Sequence, residues 1–352
     1  MLDTPPSAPN NAVVSKRNLS RRQSWRIERK QQERSARAQR AGALGEEVLA
    51  GGQLGAEQSG RVIARYGSQA DVQSEGGVLA RCHLRANLGS VVAGDRVIFC
   101  AGEETGVIVA CEDRETALRR PDKFGKLRTV AANIDQVVIV IAPLPEPHGN
   151  LIDRYLVAIE NLGARAVILL NKADLLADPA IADSIERTLE PYPPLGYPVI
   201  RAEGKHGAVE ELTRLLEGHT SILVGQSGVG KTTLVNAILP DVEEAVGELS
   251  PDRQKGRHTT TTARLFDLPC GGSLIDSPGI REFGLWHMSR AEVERGFREF
   301  ADCIGHCRFR DCRHQGEPGC ALTEASDSGA IHPARLASYR HIIASLDEEL
   351  QG

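Results

Sequence analysis

Eight residues, Gly225-Gln226-Ser227-Gly228-Val229-Gly230-Lys231-Thr232, leave this chain few choices of architecture. They match G-x-x-x-x-G-K-[ST] and stand between an apolar run, SILV, and an amphipathic stretch, TLVNAIL, the strand–loop–helix setting in which that pattern has physical meaning. Glycines let the loop curl so that successive amides and the helix N-terminus face phosphates; Lys231 adds a point charge, and Thr232 a hydroxyl suited to magnesium. Thr233 follows as a further nucleotide-side candidate. The alternative, a glycine-rich turn with a surface lysine, does not account for the flanks. Around the loop, apolar runs alternate with amphipathic stretches: DQVVIVIA, IDRYLVAIENLG, AVILLNKAD, PVIRAEG, VEELTRLLEG and GSLIDSPG. Continuous apolar strands separated by helices imply a mainly parallel sheet covered on both faces.

That α/β unit does not account for the whole chain. At 352 residues there is room for two or three domains. The longest apolar run, Val137 to Ala142, is far too short to span a bilayer, and the start, MLDTPPSAPN, lacks the apolar region of a secretory signal. A cytoplasmic protein with no membrane contact is expected. Residues 11 to 40 hold ten Lys/Arg against two Glu, a local charge of +8 in a chain of net −5, which leaves −13 elsewhere. A basic arm on an acidic body points to a polyanionic partner for the arm.

Residues 1–55 run from Pro-rich through Arg/Gln/Ser-rich to Gly/Ala-rich, with too few apolar residues for a core, and read as a disordered basic arm. Over 56–114, five short runs, RVIARY, ADVQS, VLARCHL, DRVIFC and GVIVAC, are separated by Gly-containing turns. They fit a small β-barrel of the OB type, and on pattern alone an SH3-like barrel equally well. A polar linker is expected at 115–128, the P-loop α/β domain at 129–285 and a helical unit with a Cys/His cluster at 286–352.

Two further segments complete a nucleotide site. Asp276-Ser277-Pro278-Gly279 ends the SLI run, where a carboxylate can hold a magnesium-bound water. Asn171-Lys172-Ala173-Asp174 ends the AVILL run; the Asp174 carboxylate can accept hydrogen bonds from the guanine N1–H and 2-amino group, which adenine does not offer. In Ras-like domains the phosphate loop precedes the NKxD loop. Here NKAD at 171 precedes GKT at 231 and DSPG at 276, so the order is circularly permuted. Near the C-terminus, Cys307, Cys312, His314 and Cys320 form C-x4-C-x-H-x5-C, the donor set of a closed structural zinc site, with Cys303 and His306 close enough to compete. A metabolic P-loop kinase is disfavoured by NKAD.

The chain resembles the ribosome small-subunit-dependent GTPase family RsgA, also called YjeQ or YloQ, through AANIDQVVIV (131–140), NKADLL, GQSGVGKT, HTTTTARL (258–265), IDSPGIREFGLWH (275–287) and FRDCRHQGEPGCAL. The resemblance covers essentially the whole chain. It implies a GTP hydrolase acting late in small-subunit maturation and activated by that subunit, with the subunit, its rRNA and GTP/GDP as partners; a monomeric chain is expected. It favours the OB assignment, and it favours Cys307, Cys312, His314 and Cys320 as ligands of one structural zinc, with magnesium accompanying GTP. Where the family usually presents a Ser-bearing guanine loop, this sequence offers Arg201 and Ala202, of which Ala202 is the base-contact candidate. The stretch Gly256 to Thr260 resembles the family's switch I: Thr259 or Thr260 would contact magnesium, alongside Asp276 and Gly279, and His258 is a candidate for positioning water. A solvent-exposed loop histidine is the other reading of His258. Ile280, which follows DSPG, cannot hydrogen-bond a water as the glutamine of Ras-type enzymes does. Such enzymes turn over slowly unaided, at about 10⁻⁴ to 10⁻² per second, so the subunit is expected to order switch I. The basic arm, with Trp25 available to stack, and the barrel beside it are the expected RNA contacts. A non-enzymatic RNA-binding module, in which nucleotide only sets conformation, is the competing class.

Overall fold

The computed structural model describes residues 54–85, 88–122, 124–239, 263–276 and 288–351. Five strands open the described chain: β1 (Leu54–Tyr66), β2 (Gln69–Ser74), β3 (Leu79–Leu84), β4 (Arg96–Gly102) and β5 (Gly106–Cys111). Each coincides with one of the five β-branched runs. They pair in the order β1-β2-β3-β5-β4, with β3 and β5 parallel, and β4 returns to β1 to close a barrel. Val62, Val72, Cys82, Val97, Phe99 and Ile108 fill it. Closure of five strands in this order is the OB-type arrangement, which decides between the two barrels the sequence allowed.

Within the segment expected to be a polar linker lies β6 (Ala117–Pro121), paired antiparallel with β7 (Leu127–Ala132). The hairpin escaped the sequence reading because charged residues occur along both strands, and the outer ends carry no buried face to alternate.

The α/β domain comprises β8 (Gln136–Ile141), α1 (Gly149–Leu162), β9 (Arg165–Leu170), α2 (Pro179–Leu189), β10 (Val199–Arg201), α3 (Gly204–Leu216), β11 (Thr220–Val224), α4 (Lys231–Ile238), β12 (Arg264–Asp267) and β13 (Ser273–Asp276). Its sheet runs β10-β9-β8-β11-β13-β12, parallel except for β12. Central β8 shows why its sequence is apolar throughout. Val137, Ile139 and Ile141 enter the core beneath α1, while Val138, Val140 and Ala142 enter the core beneath α3 and α4. Alternate side chains of one strand thus serve two cores.

The C-terminal unit, α5 (Arg290–Arg295), α6 (Ala321–Asp327) and α7 (Pro333–Gln351), continues the α1-side core. A capping box between Ser289 and Glu292 starts α5. Phe297 stacks on Phe300 at 4.7 Å, and Tyr339 of α7 meets both edge-on. Arg335 of α7, 1% exposed, is anchored to α1 through the carboxylate of Asp153 and donates to Glu299 at 2.7 and 3.2 Å. Tyr192 also donates to Asp153, at 3.0 Å. Two carboxylates offset the cost of burying a guanidinium this deep.

Candidate nucleotide site and Cys/His cluster

The phosphate loop leaves β11 and enters α4 where the parallel strands end, the edge at which open α/β sheets bind ligands. Its glycines answer to space. A Cβ on Gly225 would lie 2.1 Å from the Val140 carbonyl oxygen, and one on Gly230, whose φ is +101°, would lie 2.5 Å from Asn171 Nδ2. Lys231 Nζ donates to the carbonyls of Gly225 and Gln226 at 2.6 and 2.5 Å, so the ammonium lies across its own loop. The Gly225 backbone also meets the hydroxyl of Tyr155 on α1, a support the sequence did not advertise.

NKAD follows β9, two strands from β11, and turns back onto that loop. Asn171 Nδ2 donates to Val229 O at 2.8 Å, and Lys172 Nζ donates to Gly228 O at 2.8 Å and Leu144 O at 3.2 Å. Lys172 holds a left-handed φ of +59° to make the turn. Residues more than fifty positions apart are therefore bolted together by side-chain-to-backbone hydrogen bonds. Between them lies a pocket of about 350 Å³ lined by Asn171, Lys172, Asp174, Gly230, Thr233 and Leu234, among others. Asp174 is exposed at this pocket, with the Gly204 amide 3.4 Å from its Oδ1. Gly204, Ala208 and Val209 of α3 line it too and were not singled out in the sequence; small and apolar residues at the start of a helix carry no signal of their own.

Ala202 sits behind the loop, 1% exposed. Its N–H donates to Leu170 O at 2.9 Å and its carbonyl accepts from the Ala173 N–H at 3.0 Å, so its backbone braces NKAD. Arg201 turns away to Glu186 on α2. Asp276 ends β13, the strand beside β11, opposite Arg264 of β12. Of the remaining nucleotide-side candidates, Gln226, Ser227, Val229 and Thr232 lie in the loop and at the head of α4, while His258, Thr259, Thr260, Gly279 and Ile280 lie outside the described residues.

Cys307, Cys312, His314 and Cys320 come together with their donor atoms within 4.8 Å of one another; Cys303 and His306 are not in this group. His314 Nδ1 faces the three sulfurs at 3.5, 3.7 and 3.4 Å. Tetrahedral zinc with bonds of about 2.3 Å to sulfur and about 2.0 Å to nitrogen places such atoms about 3.6 Å apart, so the set fits that ion and leaves no open position. The left-handed φ of His314, +60°, aims the ring inward. Behind it, Glu294 Oε1 stands 3.7 Å from Nε2 and accepts from Tyr339 at 2.8 Å, tying the ring to α5 and α7. Glu317 accepts from the amides of Arg313 and Gln315 at 2.9 and 2.7 Å; its own amide and these two hold its carboxyl down at about 2. Burial pushes the Cys312 and Cys320 thiols up and leaves Cys312 raised, while hydrogen bonds from Thr323 and His314 bring Cys320 down to about 7.

A model of the family described as RsgA GTPase matches residues 111–286. A Pseudomonas aeruginosa protein named small ribosomal subunit biogenesis GTPase RsgA is 58% identical over 337 residues, covering 95% of this chain and 99% of that one. A protein of the same name from Azotobacter vinelandii is 58% identical over 341 residues, at the same coverage. Among solved structures, YjeQ from Thermotoga maritima is similar with a TM-score of 0.68 at 30% identity, covering 83% of this chain and 99% of that one. YloQ, described as a circularly permuted GTPase, also gives 0.68, at 25% identity over 84% of this chain and 96% of that one.

Proposed function

Because this chain belongs to the RsgA GTPase family, a family of GTP-hydrolysing enzymes, we propose that it hydrolyses GTP to GDP and phosphate when the maturing small ribosomal subunit activates it, binding that subunit through rRNA. The observation that carries this reading is the seating of NKAD against the phosphate loop, with Asp174 and Gly230 lining one pocket. Asp174 reads the guanine edge. Asn171 and Lys172 hold the loop from behind, and Ala202 braces NKAD beside the base. The loop amides and Lys231, once it exchanges its own carbonyls for phosphate oxygens, take the β- and γ-phosphates. Magnesium, which would neutralise developing charge on the transferring group, would be held by Thr232, Asp276 and a switch I threonine, Thr259 or Thr260. With Ile280 after DSPG, water is positioned by His258 or by the subunit.

The three cysteines and His314 hold structural zinc and keep the C-terminal unit folded. RNA contact is made by the basic arm and the barrel, and by the β6–β7 hairpin. Exposed Phe124 lies at the tip of that hairpin among Arg119, Lys126 and Arg128. Such a surface suits phosphates and an unstacked base. We place the barrel at 54–114, the joining hairpin at 117–132, the GTPase domain from there to 285 and the helical unit from 286. Among the described residues no helix is long and apolar enough to cross a membrane, and we place the protein in the cytoplasm as a monomer. Co-sedimentation with purified small subunits tests the cycle. Binding with a non-hydrolysable GTP analogue and release with GDP is the expected result; equal binding in both states contradicts it.

A further inference from the structure

Strand β1 belongs to two cores at once. Val62 packs inside the barrel, while Ile63, 5% exposed, enters the GTPase-domain core that also contains Leu265 of β12 and Ile275 of β13. A register shift between Val62 and Ala64 in the β1–β2 ladder marks the crossing point; such irregularities re-aim side chains. The same strand is stitched to the β12–β13 hairpin. Ala64 pairs with Arg264, and Arg264 Nη1 donates to the Tyr66 hydroxyl at 3.2 Å. Arg61 Nη1 donates to Ser273 Oγ at 3.0 Å, and Nη2 pairs with the Asp267 carboxylate, which also accepts from the Ser273 hydroxyl at 3.0 Å. From the β3–β4 connection, Gly94 approaches Ile275 so closely that a Cβ there would lie 3.2 Å from Cδ1.

In sequence, the HTTTT segment runs into this hairpin, and the hairpin ends on Asp276. Clefts of about 440 and 240 Å³ open beside the clasp, and Arg61 lines both. The Arg61–Asp267 pair is about a third exposed on the Arg61 side and more on the other, so it adds little to stability. It does fix where the barrel stands relative to the hairpin.

We propose that Arg61, through Asp267 and Ser273, couples the barrel to the nucleotide site: RNA seated on the barrel biases the β12–β13 hairpin and with it Asp276. Arg61 is a positioning residue and touches no substrate. The inference rests on subunit activation as proposed above. Coupling is reciprocal, so the same clasp makes nucleotide state alter subunit affinity.

The test compares the full chain with Arg61→Ala, the isosteric Asp267→Asn, and the exchanged pair Arg61→Asp with Asp267→Arg. For each, one measures basal kcat and KM for GTP, the increase in kcat on adding small subunits, and the ratio of subunit affinities with a GTP analogue and with GDP. Both single variants are expected to keep basal kcat, KM and melting temperature. Both should lose at least about fivefold of the stimulation and of the affinity ratio, the lower end of usual coupling strengths, and the exchanged pair should recover part of both. Folded single variants with undiminished stimulation and affinity ratio overturn the proposal. A wild-type chain that small subunits fail to stimulate overturns the underlying functional reading instead, and the coupling with it.

Discussion

In the proposed function, Asp174 is the residue on which the choice of base turns. Its two oxygens can accept from both guanine donors, and a carboxamide there offers a donor in place of one acceptor. Asp174→Asn should weaken GDP binding at least about a hundredfold, since each charge-assisted hydrogen bond is worth about 1.5–3 kcal/mol; titration with a fluorescent GDP analogue measures it. A change under about threefold would take Asp174 out of base recognition. The placement of NKAD beside the phosphate loop and the grouping of three cysteines with His314 were legible in the sequence because their chemistry demands a residue type at a spacing. Arg335, Asp153 and Glu299 were not: a charged residue is by default a surface residue, and only the folded chain shows α7 laying the guanidinium between two carboxylates. Glu294 and Tyr155 were equally silent, because each acts on a site formed by distant residues.

Among the elements, the C-terminal helices depend on two fastenings that fail differently. In the proposed zinc site Cys312→Ser removes one of four donors, so metal analysis of the purified variant should fall from about one zinc per chain to well below it, with a lowered melting temperature. An unaltered zinc content would exclude Cys312 as a ligand. Arg335→Met leaves Asp153 and Glu299 buried without their cation and should cost about 3–5 kcal/mol in urea unfolding, with zinc retained in the folded protein. A cost below about 1 kcal/mol would mean that those carboxylates find other partners. The barrel strands and the central sheet were legible as elements, because β-branched alternation in one and continuous apolar runs in the other follow from one-sided and two-sided burial. The β6–β7 hairpin and four-residue β12 were not. In the hairpin, charges mask the period, and in β12 the strand is too short to show one.

For the whole molecule, a permuted chain order leaves the nucleotide loops on one sheet edge and puts β12, at the far side of that sheet, against the barrel. The barrel and the sheet that carries the nucleotide loops thereby form one continuous β-sheet, with the β6–β7 hairpin standing as a separate two-stranded sheet. Neutralising Arg119, Lys126 and Arg128 together should flatten the fall of log affinity for small subunits with log salt, by about 0.7–0.9 for each phosphate that is no longer neutralised. An unchanged slope would show that the hairpin faces elsewhere. The most direct measurement is GTP turnover by the purified chain with and without small ribosomal subunits, with large subunits and ATP as controls. Strong stimulation by small subunits, with GTP alone as substrate, is the predicted result; turnover that small subunits leave unchanged, or that ATP supports equally, contradicts it.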